Sequence, residues 1–146
     1  MKDQLILKMN QSLANIQVVY VKLHNYHWNI TGKHFFEIHK VTEEYYEQFA
    51  TIYDDVAERI LQLGGKPLAS MKEYLEHATI QEEMKNEFTA ADVSKNVLAD
   101  FEVIYNNFKE IRSIADDMDD PVTLGYVEEQ MAHFEKAFWM LKAFAA

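Results

Sequence analysis

The sequence predicts an all-α fold: a four-helix bundle with one long crossover that carries a short helix. Apolar residues recur at intervals of three and four along four long segments, the spacing of helices with one buried face. The chain has only 4 Gly and 2 Pro in 146 residues, so few helix breaks are available. No strand-like alternation, internal repeat or low-complexity stretch competes. We expect a single domain that spans residues 1–146.

The first helix is predicted from an apolar stripe that leads towards His27. Its members step by four and three: Leu5, Met9, Leu13, Ile16, Tyr20 and Leu23. Extending the stripe by four residues reaches His27, whose ring should therefore turn inward near the helix end. Residues 31–33 (Thr-Gly-Lys) then interrupt the pattern.

The second helix is predicted from Phe35 to Leu63. Its core stripe has eight members: Ile38, Val41, Tyr45, Phe49, Ile52, Val56, Ile60 and Leu63. The helix should stop at Gly64 and Gly65, where a left-handed residue can cap the C terminus, with Pro67 close behind.

A connection of about 24 residues follows, long enough for the chain to cross the bundle. Within it, Ser70 and Glu73 have the spacing of a capping box and predict a short helix that ends near His77. The next long helix should therefore begin at the opposite end of the bundle.

Two further long helices complete the bundle. Thr89, with Asp92 three residues on, begins the third long helix, and Asp120 before Pro121 predicts the start of the last. The third helix has the core stripe Val93, Val97, Phe101, Ile104, Phe108, Ile111 and Ala115. The last helix has Val127, Met131, Phe134, Phe138 and Leu141.

The second helix also carries two pairs of side chains with metal-binding chemistry. His39 and Glu43 form the first pair, and Asp54 and Glu58 form the second pair; each has i,i+4 spacing. The pairs share one helix face but lie roughly 16 Å apart along the axis, too far for a single ion to bridge. If all four groups bind one metal, the second pair must come from another copy of the chain.

The face that carries both pairs points roughly 150° away from the core stripe. Two copies crossing antiparallel near residues 48–49 would place the first pair of one opposite the second pair of the other. Such an isologous interface would hold two equivalent sites. The alternative is an ordinary solvated helix face, because acidic residues at this spacing are common on exposed helices.

Composition narrows the functional classes. The chain has no Cys, which excludes disulfides and thiolate chemistry. The net charge of −10 disfavours nucleic-acid binding, which depends on Lys and Arg contacts with phosphates. No apolar run reaches the length of a membrane span, and residues 1–10 lack a signal-peptide pattern. We expect a cytoplasmic protein with no membrane partner.

Four segments have a distinctive combination of residues: Tyr-His-Trp-Asn at 26–29, Phe-Phe-Glu-Ile-His at 35–39, Asp-Asp-Val-Ala-Glu-Arg at 54–59 and Leu-Gly-Gly-Lys-Pro at 63–67. They closely resemble the Dps family of bacterial mini-ferritins, above all its Bacillus and Listeria group. Trp-Met-Leu at 139–141 is similar to part of the terminal helix of the family. The resemblance covers nearly the whole chain. It implies a ferritin-like bundle that assembles as a hollow homododecamer.

The resemblance also implies a ferroxidase site at each two-fold interface. The family's iron ligands carry over to His27, His39 and Glu43 of one subunit and to Asp54 and Glu58 of its mate. Relatives often have Asp at the position of Glu43, whose longer side chain reaches the iron directly or through water. Mixed carboxylate and imidazole ligands suit iron, whereas an all-oxygen set favours Mg²⁺ or Ca²⁺.

The resemblance implies a reaction as well as a metal. Relatives oxidise Fe(II) with hydrogen peroxide in preference to dioxygen, store a ferric mineral and so limit oxidative damage. Trp28, next to His27, is either a sink for stray oxidising equivalents or an aromatic residue of the subunit interface.

Acidic residues cluster between the third and last long helices, at Asp116, Asp117, Asp119 and Asp120. Asp120 has a local role as a helix cap, whereas Asp116 and Asp117 lie at a helix C terminus, where negative charge is unfavourable. Acidic three-fold pores of the family involve roughly this region. Asp116, Asp117 and Asp120 are therefore predicted either to line a pore that attracts Fe(II) or to form a solvated acidic turn.

Two other functional classes remain open. The first is a structural protein that condenses DNA, as the family name suggests. It is disfavoured because neither end of the chain carries a basic arm and because the net charge is −10. The second is a helical interaction protein without a metal site. It is disfavoured because all five predicted ligand positions hold residues that can bind metal.

Overall fold

The computed structural model describes residues 1–146 and contains five helices. They are α1 (Lys2–Asn29), α2 (Phe35–Gln62), α3 (Met71–His77), α4 (Ala90–Asp117) and α5 (Pro121–Ala145). The helix α1 packs mainly on α2, α4 packs on α5, and α1 also contacts α4 and α3. The all-α prediction is confirmed, and the short helix lies within the crossover between α2 and α4. None of the helices combines the length and apolarity of a membrane crossing.

The predicted stripes form one core, with a small shift on α5. Every predicted stripe residue of α4 is buried, as are most of those of α1 and α2. On α5, Met131 and Phe138 are only partly buried, and Ala137 joins the core instead. The inner face of α5 is centred on Thr123, Phe134 and Leu141, which places Met131 and Phe138 at its edge.

The helix starts follow the predicted caps, with one correction. Thr89 and Asp92 form a complete capping box, with N–H···O distances of 3.2 and 2.9 Å. At α3 only half of the predicted box is present: the Ser70 hydroxyl oxygen accepts from the Glu73 N–H at 3.3 Å. The Glu73 carboxylate accepts from the Ser70 hydroxyl and the Ala69 N–H instead of from the Ser70 N–H.

The C terminus of α2 and the start of α5 form as predicted. Gly64 has a φ of +86°, the left-handed conformation that a Gly adopts without strain. At the other junction Asp120 caps α5, because its carboxylate accepts from the Thr123 N–H at 3.1 Å, and Pro121 occupies the first turn.

A buried amide holds the crossover against the bundle. Asn15 of α1 is fully buried, and its side-chain oxygen accepts from the Thr79 and Ile80 backbone N–H groups at 2.8 and 3.0 Å. Its side-chain N–H₂ donates to the Asn107 side-chain oxygen at 2.9 Å. One side chain thus joins α1, the crossover and α4, and so fixes the path of the long connection.

Candidate metal centre

His27 and His39 are brought together and held by each other's backbone. The two rings stack with centroids 3.7 Å apart and planes 14° apart. His27 Nδ1 lies 2.6 Å from the His39 carbonyl oxygen, and His39 Nδ1 lies 2.8 Å from the His27 carbonyl oxygen. A carbonyl oxygen only accepts hydrogen bonds, so both Nδ1 atoms must carry the proton. In the neutral form of either ring, this tautomer keeps the Nε2 lone pair for a ligand.

The turn between α1 and α2 makes this arrangement possible. His34 and Gly32 have φ values of +66° and +88°, which reverse the chain within a few residues. His27, the predicted inward-facing residue, is only 6% exposed at the end of α1. His39 meets it from the second turn of α2, as the reciprocal hydrogen bonds require.

Thr42 supports the histidine pair, a role that the sequence analysis missed. Its side chain is fully buried on α2, and its hydroxyl donates to the Ile38 carbonyl at 2.7 Å. The hydroxyl oxygen lies 3.3 Å from His27 Nδ1, where it shares the N–H that also bonds the His39 carbonyl. A polar residue four positions after the core residue Ile38 was the available signal, because this spacing places it on the inward face of α2.

Glu43 lies one turn after His39 and contacts an aromatic cluster. Its carboxylate accepts from the Tyr46 hydroxyl at 3.3 Å. The Tyr46 ring stacks on His24 with centroids 3.9 Å apart and meets the His27 ring edge-on at 5.3 Å. The Glu43 side chain is exposed, so it remains accessible to a ligand.

The second pair lies on the open surface of α2. Asp54 and Glu58 are exposed, and neither makes a side-chain hydrogen bond or ion pair within the chain. Their neighbours Asp55 and Arg59 point instead towards α5. Within one chain, no group of three or more His, Asp or Glu residues is close enough together to hold a metal ion. The single chain therefore places the two predicted halves of the site apart.

Trp28 lies on the surface beside this region. Its side chain is 68% exposed, although the adjacent His27 is buried. The nearest aromatic neighbour is His24, with ring centroids 5.5 Å apart. The position is compatible with both roles that the sequence left open, an interface aromatic and a redox sink.

The aspartates of the acidic turn differ in whether their carboxylates make hydrogen bonds within the chain. Asp120 is engaged in the fold: it accepts from Arg59 Nη2 at 3.0 Å and from the Thr123 hydroxyl at 2.6 Å. Burial acts to raise the pKa of Asp120, but hydrogen bonds from Thr123 and the Arg59 guanidinium outweigh it and lower the pKa. Asp116 and Asp117 are exposed and make no side-chain hydrogen bond. Of the three predicted pore residues, Asp116 and Asp117 are therefore the two whose carboxylates are free of other contacts, and the pore role of all three stays a prediction.

Comparisons with known proteins agree with this architecture. The pattern of the ferritin-like domain family matches residues 6–146. The chain is 42% identical over 146 residues to the DNA protection during starvation protein of Helicobacter pylori, covering 100% of both chains. It is 46% identical over 144 residues to general stress protein 20U of Bacillus subtilis, covering 99% of both.

A solved structure extends the agreement to three dimensions. It is a Dps protein from Vibrio cholerae, described as a member of a broad superfamily of ferritin-like diiron-carboxylate proteins. Its TM-score with this chain is 0.95 at 32% identity, covering 99% of this chain and 91% of the other. The chain belongs to the ferritin-like proteins and, within them, to the Dps family.

Proposed function

We propose that this protein is a cytoplasmic ferroxidase and iron-storage mini-ferritin. In this proposal it oxidises Fe(II) at sites shared by two chains and stores the ferric product inside a hollow dodecamer. Membership of the Dps family supports the general role. The observation that carries the proposal is the reciprocal hydrogen bonding of His27 and His39, which engages both Nδ1 atoms and leaves each Nε2 without a partner within the chain. Hydrogen bonds of this kind orient metal-binding histidines and fix their tautomer.

The surface of α2 supports a site completed by a second copy. Phe36 and Leu61 are 80% and 57% exposed on the same face as the two pairs. An antiparallel crossing of two α2 helices near residues 48–49 would cover both apolar side chains, and the small Ala50 would allow close approach. The same crossing would bring Asp54 and Glu58 of the partner to the histidine pair. Each two-fold interface would then hold two equivalent sites.

The proposed reaction is the one that the family resemblance implies, and the ligand types fit it, with iron as the substrate. The histidine Nε2 atoms and the carboxylates of Glu43, Asp54 and Glu58 bind Fe(II). Two Fe(II) ions each give one electron to hydrogen peroxide, the O–O bond breaks, and two protons are taken up to form two waters. The hard carboxylates then favour Fe(III), which hydrolyses to a mineral. Because this removes both Fe(II) and peroxide, it prevents formation of hydroxyl radicals.

Anaerobic Fe(II) titration followed by peroxide addition tests the proposed function. We expect saturable binding and oxidation of two Fe(II) ions per peroxide, as the electron balance requires. Dioxygen at the same concentration should oxidise the bound iron more slowly. Binding that fails to saturate, or oxidation no faster than that of free Fe(II), would contradict a ferroxidase site.

Asp116 and Asp117 are proposed to attract Fe(II) towards the shell interior. Replacing both with Asn should slow iron uptake most at low ionic strength, because salt screens the attraction between exposed charges. The control is the pair Glu82→Gln and Glu87→Gln, which removes the same charge from exposed positions of the crossover. Stopped-flow uptake at several salt concentrations gives the comparison. Equal kinetics for both double variants at every salt concentration would assign the two aspartates to a solvated turn.

A further inference from the structure

Arg59 joins α2 to the start of α5 through two of its three side-chain nitrogens. Its Nε donates to the Thr123 hydroxyl at 2.9 Å, and its Nη2 donates to Asp120 Oδ1 at 3.0 Å. Its Nη1 donates to Gln62 Oε1 at 3.0 Å on its own helix. The side chains of Arg59 and Asp120 are only 19% and 12% exposed. A charge-assisted pair this shielded from water is ordered and directional.

A second contact lies one turn away on the same face of α2. The Tyr126 hydroxyl donates to Asp55 Oδ2 at 3.0 Å. Burial, followed by the charge of Asp55, raises the pKa of Tyr126, so its hydroxyl keeps the proton that it donates. Towards the other end of α2, a cavity of about 550 Å³ opens between α2 and α5 beside Tyr45 and Met140. The polar contacts of Asp55 and Arg59 therefore join α2 to α5 at the end of α2 that lies away from this cavity.

The α2 residues that make these contacts lie next to the two members of the second pair in the sequence. Asp54 and Glu58 each precede a contact residue, Asp55 and Arg59, by one position, about 100° around the helix. In the first pair, the His39 ring is held directly by its hydrogen bond to the His27 carbonyl oxygen. Asp54 and Glu58 have no such support within the chain, so their placement depends on the rotation of α2 itself.

We propose that Arg59 is a positioning residue for the half of the metal site formed by Asp54 and Glu58. This inference rests on the proposed shared site. Arg59 does not touch the metal; it holds the helix so that the two carboxylates face the partner's histidines. Its loss should therefore impair the acidic half of the site and leave the histidine half of the same chain intact.

Arg59→Gln, compared with Arg112→Gln, gives the first measurement. Arg112 forms a half-exposed ion pair with Glu128 at 3.0 Å, so both variants lose one positive charge and one ion pair. We expect Arg59→Gln to weaken Fe(II) binding by about tenfold or more, the usual effect of removing a group that orients a metal ligand. Arg112→Gln should bind Fe(II) as the unmodified protein does. Unchanged binding by Arg59→Gln would overturn the proposal.

Mixed assemblies distinguish positioning from general destabilisation. After proven subunit exchange, Arg59→Gln mixed with His39→Ala should regain activity, because some sites combine an intact histidine half with an intact acidic half. A mixture of Arg59→Gln with Asp54→Ala should not regain activity, because every site then has an impaired acidic half. Recovery in the second mixture, or none in the first, would overturn the positioning role.

Two further measurements keep this test decisive. His39→Ala mixed with Asp54→Ala is the reference: its failure to recover would reject the shared site, and this inference with it.

Tyr126→Phe removes only the hydroxyl that bonds Asp55, so it replaces Arg59→Gln if that variant does not fold. It should show the same mixing pattern with a smaller loss, and wild-type Fe(II) binding by Tyr126→Phe would then overturn the proposal.

Discussion

Replacing His39 with alanine is expected to weaken Fe(II) binding by about 100-fold or more and to abolish rapid oxidation by peroxide. The change removes one proposed Nε2 ligand together with the N–H that bonds the His27 carbonyl oxygen at 2.8 Å. Loss of a group that merely supports a metal ligand already costs about 10–100-fold, so loss of a ligand should cost at least as much. Asp54→Ala should give a comparable loss, because it removes a ligand of the same site. Anaerobic Fe(II) titration measures both effects.

His77→Ala is the matched control for this experiment. His77 is exposed on α3, and its Nδ1 bonds only the Glu73 carbonyl of its own helix, at 2.9 Å. Iron binding and oxidation should be unchanged in this variant. If His39→Ala also behaved like the unmodified protein, the histidine pair would be structural and the proposed function would be wrong.

Direct binding to DNA near neutral pH is expected to be weak or absent. Each chain carries a formal charge of −10. A shell of twelve chains would carry roughly −120, and the polyanion would repel phosphates rather than release their counterions. In this account, protection of DNA comes from removal of Fe(II) and peroxide. A gel-shift assay at moderate salt without divalent cations should leave DNA unshifted; a tight shift by the purified assembly would favour the DNA-condensing alternative.

Local periodicity was sufficient to predict the helices, because burial of one face is recorded in the spacing of apolar residues. It placed the core stripes of α1, α2 and α4 and the caps at Thr89 and Asp120. It was less accurate on α5, where Ala137 replaced Met131 and Phe138 in the core. An alanine carries little information about burial on its own, so a small rotation of an otherwise apolar helix could not be detected.

The contacts that build the site depend on distant parts of the chain. The buried role of Asn15 in holding the crossover follows from partners on other segments, which no local spacing indicates. The spacing of Thr42 indicates its inward position on α2, but not its contact with His27 of α1. Likewise, Asp120 was identified as a cap from its neighbours, but its ion pair with Arg59 required the packing of α2 on α5. The spacing along α2 predicted that the two pairs lie apart along the helix axis, whereas the prediction that His27 is a ligand came from family resemblance.

The central claim is that each site is built from two chains. Its most direct test is whether ferroxidase activity recovers in mixtures of His39→Ala and Asp54→Ala chains. Each variant alone should be inactive, since every site lacks one ligand. After subunit exchange, a mixed dimer contains one site with both halves intact and one site with neither. We therefore expect peroxide-dependent Fe(II) oxidation to return to a fraction of the unmodified rate. Mixtures no more active than either variant alone, despite proven exchange, would contradict the shared site.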